Sequence, residues 1–301
     1  MMKILLVGST GMLGTACSRI LGEDHEIVAP PSKELDMTRW DVVIETLDRV
    51  GPDIVINCAG YTDMEGCERD ETLVRKINIE GPRNLAQGCA RFECRLLHLS
   101  SDCVFDGRKE TPQPYFEDDP PNPLSAYGKS KLDSEIAVKE NVPAYIIVRS
   151  GWVYDLTSRG FVRNVIRQAL ESPGSVIQVP ALEMGAPTWS YRLALQIREL
   201  VRSDSHGTYH ATAEGCCTRL EYAQAVLDTL GLKAVLEERP PGNFTPPIEL
   251  PVNRILENRR LKKQGIHVMT DWKEDLEIFL NAYGEALMQD IRAEGRGGIA
   301  A

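Results

Sequence analysis

The feature that most constrains this chain is a glycine-punctuated turn eight residues from its start. The apolar run Ile4 to Val7 enters Gly8-Ser9-Thr10-Gly11-Met12-Leu13-Gly14, a GxxGxxG spacing, and an amphipathic stretch follows from Met12 to Leu21. Glycines at such a turn let backbone N–H groups close on a pyrophosphate at the positive end of a helix. Strand, loop and helix in this order point to dinucleotide binding. The loop residues Gly8, Thr10, Gly11, Met12, Leu13 and Gly14 are expected to hold the cofactor.

The pattern then repeats as short apolar runs separated by longer amphipathic ones. Strands are expected at 3–7, 25–29, 53–59, 95–100 and 144–149, with helices at 12–21, 39–50, 73–91 and 125–140. Strands rich in Ile, Val and Leu on both faces belong to a parallel sheet covered on both sides. The expected fold is α/β, a Rossmann-type doubly wound parallel sheet over residues 1–150. A smaller C-terminal α/β substrate lobe, interleaved with it, takes 151–293. In that lobe helices are expected at 161–171, 191–202, 218–230 and 272–291, and strands at 176–179 and 207–211. A proline-rich stretch spans 240–251, and the glycine-rich tail 294–301 reads as disordered. No internal repeat is evident.

An acid near the end of the second strand would bind the adenosine ribose hydroxyls and repel a 2′-phosphate. Here that strand gives way to Pro30, Pro31, Ser32 and Lys33. Ser32 and Lys33 suit a 2′-phosphate, which favours NADPH, and the neighbouring Glu34 leaves NADH possible. Asp36 and Met37 are expected on the adenine side. The third strand ends in small residues, so Cys58, Ala59, Gly60 and then Tyr61 are expected against the cofactor.

Tyr127 and Lys131 stand four residues apart on an expected helix and project from one face. A nearby ammonium favours a phenolate, so Lys131 can tune Tyr127 and also hold the nicotinamide ribose. The fourth strand ends at Ser100-Ser101-Asp102, the edge where ligands of an open parallel sheet bind. Ser101 is expected to hold a substrate carbonyl oxygen while Tyr127 gives it a proton. Glycine loop, strand-end serine and YxxxK together describe a hydride-transfer site, with Ser101, Tyr127 and Lys131 catalytic and Ser100 beside the cofactor.

Composition narrows the partners. A formal charge of −10 over 301 residues disfavours nucleic acid and anionic membranes, both of which need a basic footprint. The chain starts with no signal-like segment, and a cytoplasmic protein is expected. Its eight cysteines form no CxxC pair and no Cys/His metal spacing, so reduced thiols and no metal site are expected. An anionic substrate would need local positive charge, for which Lys131, Arg163, Arg167, Arg254, Arg259 and Arg260 are the candidates.

The chain resembles the extended short-chain dehydrogenase/reductases, and among them the dTDP-4-dehydrorhamnose reductase family. The resemblance covers nearly the whole length: the glycine loop, DIVINCA at 53–59, SSDCVFDG at 100–107, YGKSKL at 127–132, RSGWVY at 149–154, GAPT at 185–188 and GTYH at 207–210. It implies reduction of dTDP-4-dehydro-L-rhamnose to dTDP-L-rhamnose. Ser101, Tyr127 and Lys131 match the family's catalytic residues, and Trp152 its sugar-contacting tryptophan. Asp102 and Cys103 fall on the substrate side. Several positions depart from the pattern. Cys103 replaces a usual tyrosine and Arg219 a usual tryptophan, while Leu250 and Arg254 stand where an arginine and a serine are common. Arg254 is expected to carry, for the substrate diphosphate, the charge missing at 250. Some members dimerise through a magnesium ion held by glutamates, one just after the glycine loop. Thr15 and Ala16 take that place here, so a metal-independent monomer or weak homodimer is expected.

Two other functions fit parts of the pattern. The regulatory β-subunit of methionine adenosyltransferase shares the SSD-type strand end and a YGKTK-type helix, and would bind NADP(H) as a structural ligand with a partner enzyme. A nucleotide-sugar dehydratase or epimerase is the third. The dehydratases follow the strand-end threonine with Asp-Glu, whereas Ser101 is followed by Asp102 and Cys103.

Overall fold

The computed structural model describes residues 1–180, 183–239 and 248–297, the last three by their backbone only. Most of the proline-rich stretch, 240–247, and the tail from 298 lie outside the described residues.

Six strands form one parallel sheet: β1 (Lys3–Val7), β2 (Glu26–Val28), β3 (Ile54–Asn57), β4 (Arg95–Ser101), β5 (Tyr145–Ser150) and β6 (Gly207–His210), ordered β6-β5-β4-β3-β1-β2. Successive residues of β1 feed opposite cores, as the strand's period of two demands. Ile4 and Leu6 pack with Ile56, Leu97, Val148 and Tyr209 on one face, and Leu5 and Val7 with Val55, Leu96 and Ile147 on the other. Helix α1 (Met12–Leu21) covers the first face together with the helix Ser190–Arg202. The second is covered by α2 (Trp40–Val50), α3 (Gly81–Arg91) and α4 (Ala126–Asn141). All strands end on the same side, which places the glycine loop, the Cys58–Gly60 turn and Ser101 along one edge.

A third core belongs to the C-terminal lobe. Trp152, Tyr154, Ile166, Tyr222, Val226 and Phe279 are buried there between the helices Phe161–Glu171, Arg219–Leu230 and Trp272–Gly297. Two short parallel pairs complete it, Val153–Tyr154 with Thr188–Trp189 and Val176–Pro180 with Val235–Arg239. The segment from Ser190 to His210 leaves the lobe, lays a helix against the sheet and adds the sixth strand, so residue 150 is not a clean division.

Three local expectations need correction. The helix expected over 73–91 starts at Glu71, widens into a π-helical turn over Arg75–Glu80 and resumes as α3. A helix at Met64–Arg69 was not expected. The tail taken as disordered from Glu294 is helical to Gly297, with Glu294 paired to Arg163 at 2.9 Å. Among the described residues no helix is long and apolar enough to cross a membrane.

Candidate active site

The glycine loop turns because Gly8 takes φ +79°, a conformation that favours glycine, and a Cβ there would lie 2.6 Å from the Ala59 backbone nitrogen. The loop therefore lies directly on the end of β3. Helix α1 starts at an N-cap, Gly11, that offers no side-chain cap, and no acid occupies its first turn. Its free N–H groups and positive end are left for an anion. A trough lined by Gly8, Thr10, Ser32, Asp36, Met37, Ala59 and Gly60 leads from this turn towards the end of β2. These features fit a dinucleotide. Ser32 lines the trough, whereas Lys33 is exposed and outside its lining. The Asp36 carboxylate accepts from the Thr38 backbone at 2.9 Å and its hydroxyl at 2.7 Å, which fixes it at the trough wall.

The trough meets a larger cleft of about 540 Å³ that brings together Gly11, Met12, Leu13, Cys58, Gly60, Ser100, Ser101, Asp102, Cys103, Tyr127, Trp152 and Arg254. Gly14 and Tyr61 line neither space. Gly14 is buried against the Gly8 carbonyl, and the Tyr61 backbone N–H donates to Asn78 at 2.7 Å.

Tyr127 stands in the first turn of α4, whose N-cap Ser125 accepts from the Gly128 N–H at 3.1 Å. One turn on, the buried Lys131 ammonium donates to the Leu99 carbonyl at 2.6 Å. Burial lowers the Lys131 pKa to about 8, against the opposing pull of Glu135 and Cys58. Tyr127 is not tuned downward as the spacing suggested. Burial and then Cys103 raise its pKa, opposed by the Ser101 hydroxyl and Arg254, so the phenol holds its proton. A neutral phenol is the form that gives a proton to a developing alkoxide.

Buried side chains fix this helix to the sheet. Glu135 takes two bonds from Arg149, at 2.8 and 2.7 Å, and one from the Ser100 hydroxyl at 2.6 Å. Ser100 thus turns its hydroxyl into the scaffold. Asn78, inside the π-helical turn, bonds the Tyr61 backbone and the Ser130 hydroxyl, tying the Cys58–Tyr61 segment to α4. Sequence reasoning passed over Asn78, Glu135 and Arg149. A polar residue on a helix interrupted by Gly81-Pro82 was the one available signal for Asn78.

At the end of β4 the Ser101 hydroxyl donates to Asp102 at 3.0 Å and accepts from the Cys103 N–H at 3.1 Å. Asp102 receives Nε and Nη2 of Arg254, at 2.8 and 2.7 Å, and Nη2 also reaches the Cys103 sulfur at 3.2 Å. Burial pushes the Cys103 thiol up to about 12, so it stays neutral. Gly151 is required here, since any Cβ would overlap the Asp102 carboxylate. The next residue, Trp152, has φ +49°, a left-handed conformation rare for a bulky residue and of the kind stored at functional sites. Its carbonyl accepts from Thr188 at 3.2 Å, within the GAPT segment.

Of the expected cationic groups, the cleft contains Arg254, with Lys131 buried beside it. Arg163 pairs with Asp290 and Glu294, Arg167 bonds Asn164, Arg259 pairs with Asp118, and Arg260 donates to backbone carbonyls of Thr208 and His206. Arg219, noted in the sequence only as a departure, is a cleft residue, and so is Glu183.

Comparison with known proteins shows the family of the chain. The family described as RmlD substrate binding domain matches residues 2–285. The chain is 37% identical over 286 residues, 91% of its own length and 93% of the relative's, to a probable dTDP-4,6-dihydroxy-2-methyloxan-3-one 4-ketoreductase of Streptomyces antibioticus. It is 30% identical over 299 residues, 95% of its length and all of the relative's, to a dTDP-4-dehydrorhamnose reductase of Aggregatibacter actinomycetemcomitans. Among solved structures, dTDP-4-dehydrorhamnose reductase from Bacillus anthracis in complex with NADP superposes with a TM-score of 0.88 at 30% identity, covering 94% of this chain and 99% of that one.

Proposed function

Since the chain belongs to the RmlD substrate binding domain family, we propose that it reduces the 4-keto group of a dTDP-linked 6-deoxysugar, most specifically dTDP-4-dehydrorhamnose to dTDP-L-rhamnose. The observation that carries the reading is the meeting of the glycine-loop trough with a cleft holding Ser101 and Tyr127. NADP(H) is the cofactor, as in the Bacillus anthracis complex, and NADPH is preferred over NADH. The reduced nicotinamide supplies a hydride to the carbonyl carbon when bound.

The chain's own residues do the rest. The α1 N-terminus and the backbone of Gly11, Met12 and Leu13 receive the pyrophosphate, and Ser32 and Lys33 the 2′-phosphate. Asp36, Met37, Cys58, Ala59 and Gly60 flank the adenosine and nicotinamide halves. Lys131, anchored on the Leu99 carbonyl, holds the nicotinamide ribose. Ser101 turns its hydroxyl from Asp102 to the substrate oxygen, and Tyr127 protonates that oxygen as it gains charge. Asp102, Cys103, Trp152 and Arg254 form the sugar side. The enzyme works in the cytoplasm on a small-molecule substrate, without metal, as a monomer or weak homodimer. NADPH oxidation by the purified protein with a panel of 4-keto nucleotide sugars tests the reading, and a protein that binds NADPH but reduces none of them supports the regulatory-subunit reading instead.

A further inference from the structure

Beyond the groups assigned above, one wall of the cleft carries an ion pair with no part in the hydride-transfer chemistry. Arg219 donates from Nε to Oε2 of Glu183 at 3.2 Å, and Nη1 of Arg254 lies 3.9 Å from the same oxygen. The Arg219 guanidinium lies over the Trp152 indole, its central carbon 3.5 Å from the ring centroid. The indole is held from elsewhere as well, since a Cβ on Gly185 would come within 2.8 Å of its Cε2.

Two consequences follow from the covered face. The indole cannot stack that face on a sugar ring, so its role there passes to the guanidinium. And the guanidinium presents donors: among the described residues Nη1 and Nη2 of Arg219 have no hydrogen-bond partner, and neither has Oε1 of Glu183. The Trp152 indole N–H is likewise buried without a partner.

We infer that Glu183 and Arg219 are specificity-determining residues that read a ring hydroxyl of the sugar. This rests on the reading of the chain as a 4-keto sugar reductase. A carboxylate acceptor beside guanidinium donors complements a hydroxyl, which donates once and accepts through its lone pairs. A deoxygenated ring carbon can do neither, and would cover Oε1 of Glu183 and the free nitrogens of Arg219 without giving them a partner. The pair suits a hydroxyl better than a phosphate because its charges cancel. With Asp102 and Arg254 the wall holds two cations and two anions, so it gives an anion no net attraction. Burial lowers the Arg219 pKa, with Glu183 pulling the other way, so the pair sits where water screens little.

The test compares kcat/KM for a dTDP-4-keto-6-deoxyhexose carrying all its ring hydroxyls with its 2-deoxy and 3-deoxy analogues. Wild-type protein is expected to disfavour one analogue roughly ten- to hundredfold, the worth of one hydrogen bond to a charged group. Glu183→Ala, or Arg219→Met, which keeps the stack on Trp152, should collapse that ratio to within a few-fold, the loss falling on the hydroxylated sugar. NADPH affinity should stay unchanged. Glu183→Gln preserves the shape and should move the ratio the same way by less. A ratio unaltered in variants that still bind NADPH overturns the inference while leaving the reductase reading intact. Wild-type protein that reduces none of the three sugars overturns both.

Discussion

Arg254 and Asp102 form a buried, two-pronged ion pair directly beside Ser101, with Arg254 Nε and Nη2 each on a separate carboxylate oxygen. Burial works to lower the Arg254 pKa, and Asp102 with Cys103 outweighs it, so the cation is fixed. The pair alters the role expected for this arginine. Its charge is already met inside the cleft, and what it adds to a substrate diphosphate is its remaining nitrogen rather than a free cation.

Removing one partner of such a pair strands the other charge. Arg254→Ala is expected to lower unfolding free energy by about 3–5 kcal/mol and to raise substrate KM, with cofactor affinity unchanged. The double variant Asp102→Asn/Arg254→Met should recover most of the stability. Urea unfolding checks this, and a single variant as stable as wild type would contradict the pair.

The pH dependence follows from Lys131. Its depressed pKa of about 8 means that the ammonium is present below that pH and lost as pH rises through it. With the ammonium goes the grip on the ribose proposed for it. The kcat/KM for NADPH should therefore fall above pH about 8, with no matching limb from Tyr127, whose phenol titrates higher still. A flat profile through that window would count against the lysine's role.

Ser32 lines the trough, and Lys33, next to it in the chain, is exposed and outside the lining. NADPH should outperform NADH modestly, by a margin that Lys33→Ala reduces through the NADPH value alone. Equal kcat/KM for the two cofactors in wild-type protein would contradict the assignment.

Metal independence is the next expectation. Thr15 and Ala16 line a groove with Met12, Trp189 and Tyr191, in which Asp155 is the one acid, and the Thr15 hydroxyl donates to the Ser9 carbonyl at 3.2 Å. Neither gives a divalent ion a carboxylate. Sedimentation and turnover should be unchanged by EDTA, and a dimer that dissociates on chelation would refute this.

Much of this was legible in the sequence because its signals are local. The edges of β1 and α1 follow from the switch between apolar run and glycine loop, and Tyr127 and Lys131 share a face through helix periodicity alone. The π-helical turn around Asn78 was not legible, and the partners Asn78 bonds there, Tyr61 and Ser130, lie far along the chain, the latter 52 positions away. Nor was the raised pKa of Tyr127, because YxxxK spacing fixes proximity on a helix but not burial. The cleft roles of Glu183 and Arg219 depend on segments that meet only after the lobe folds.

The most direct test of the central claim is single-turnover NADPH oxidation with dTDP-4-dehydrorhamnose, run on wild-type protein and Tyr127→Phe. Wild-type protein should convert one equivalent of NADPH and ketosugar to the alcohol, and Tyr127→Phe should bind NADPH equally well but turn over about 10²–10⁴-fold more slowly. A Tyr127→Phe variant with near-wild-type rate, or a wild-type protein that consumes no NADPH with any 4-keto nucleotide sugar, would contradict the account.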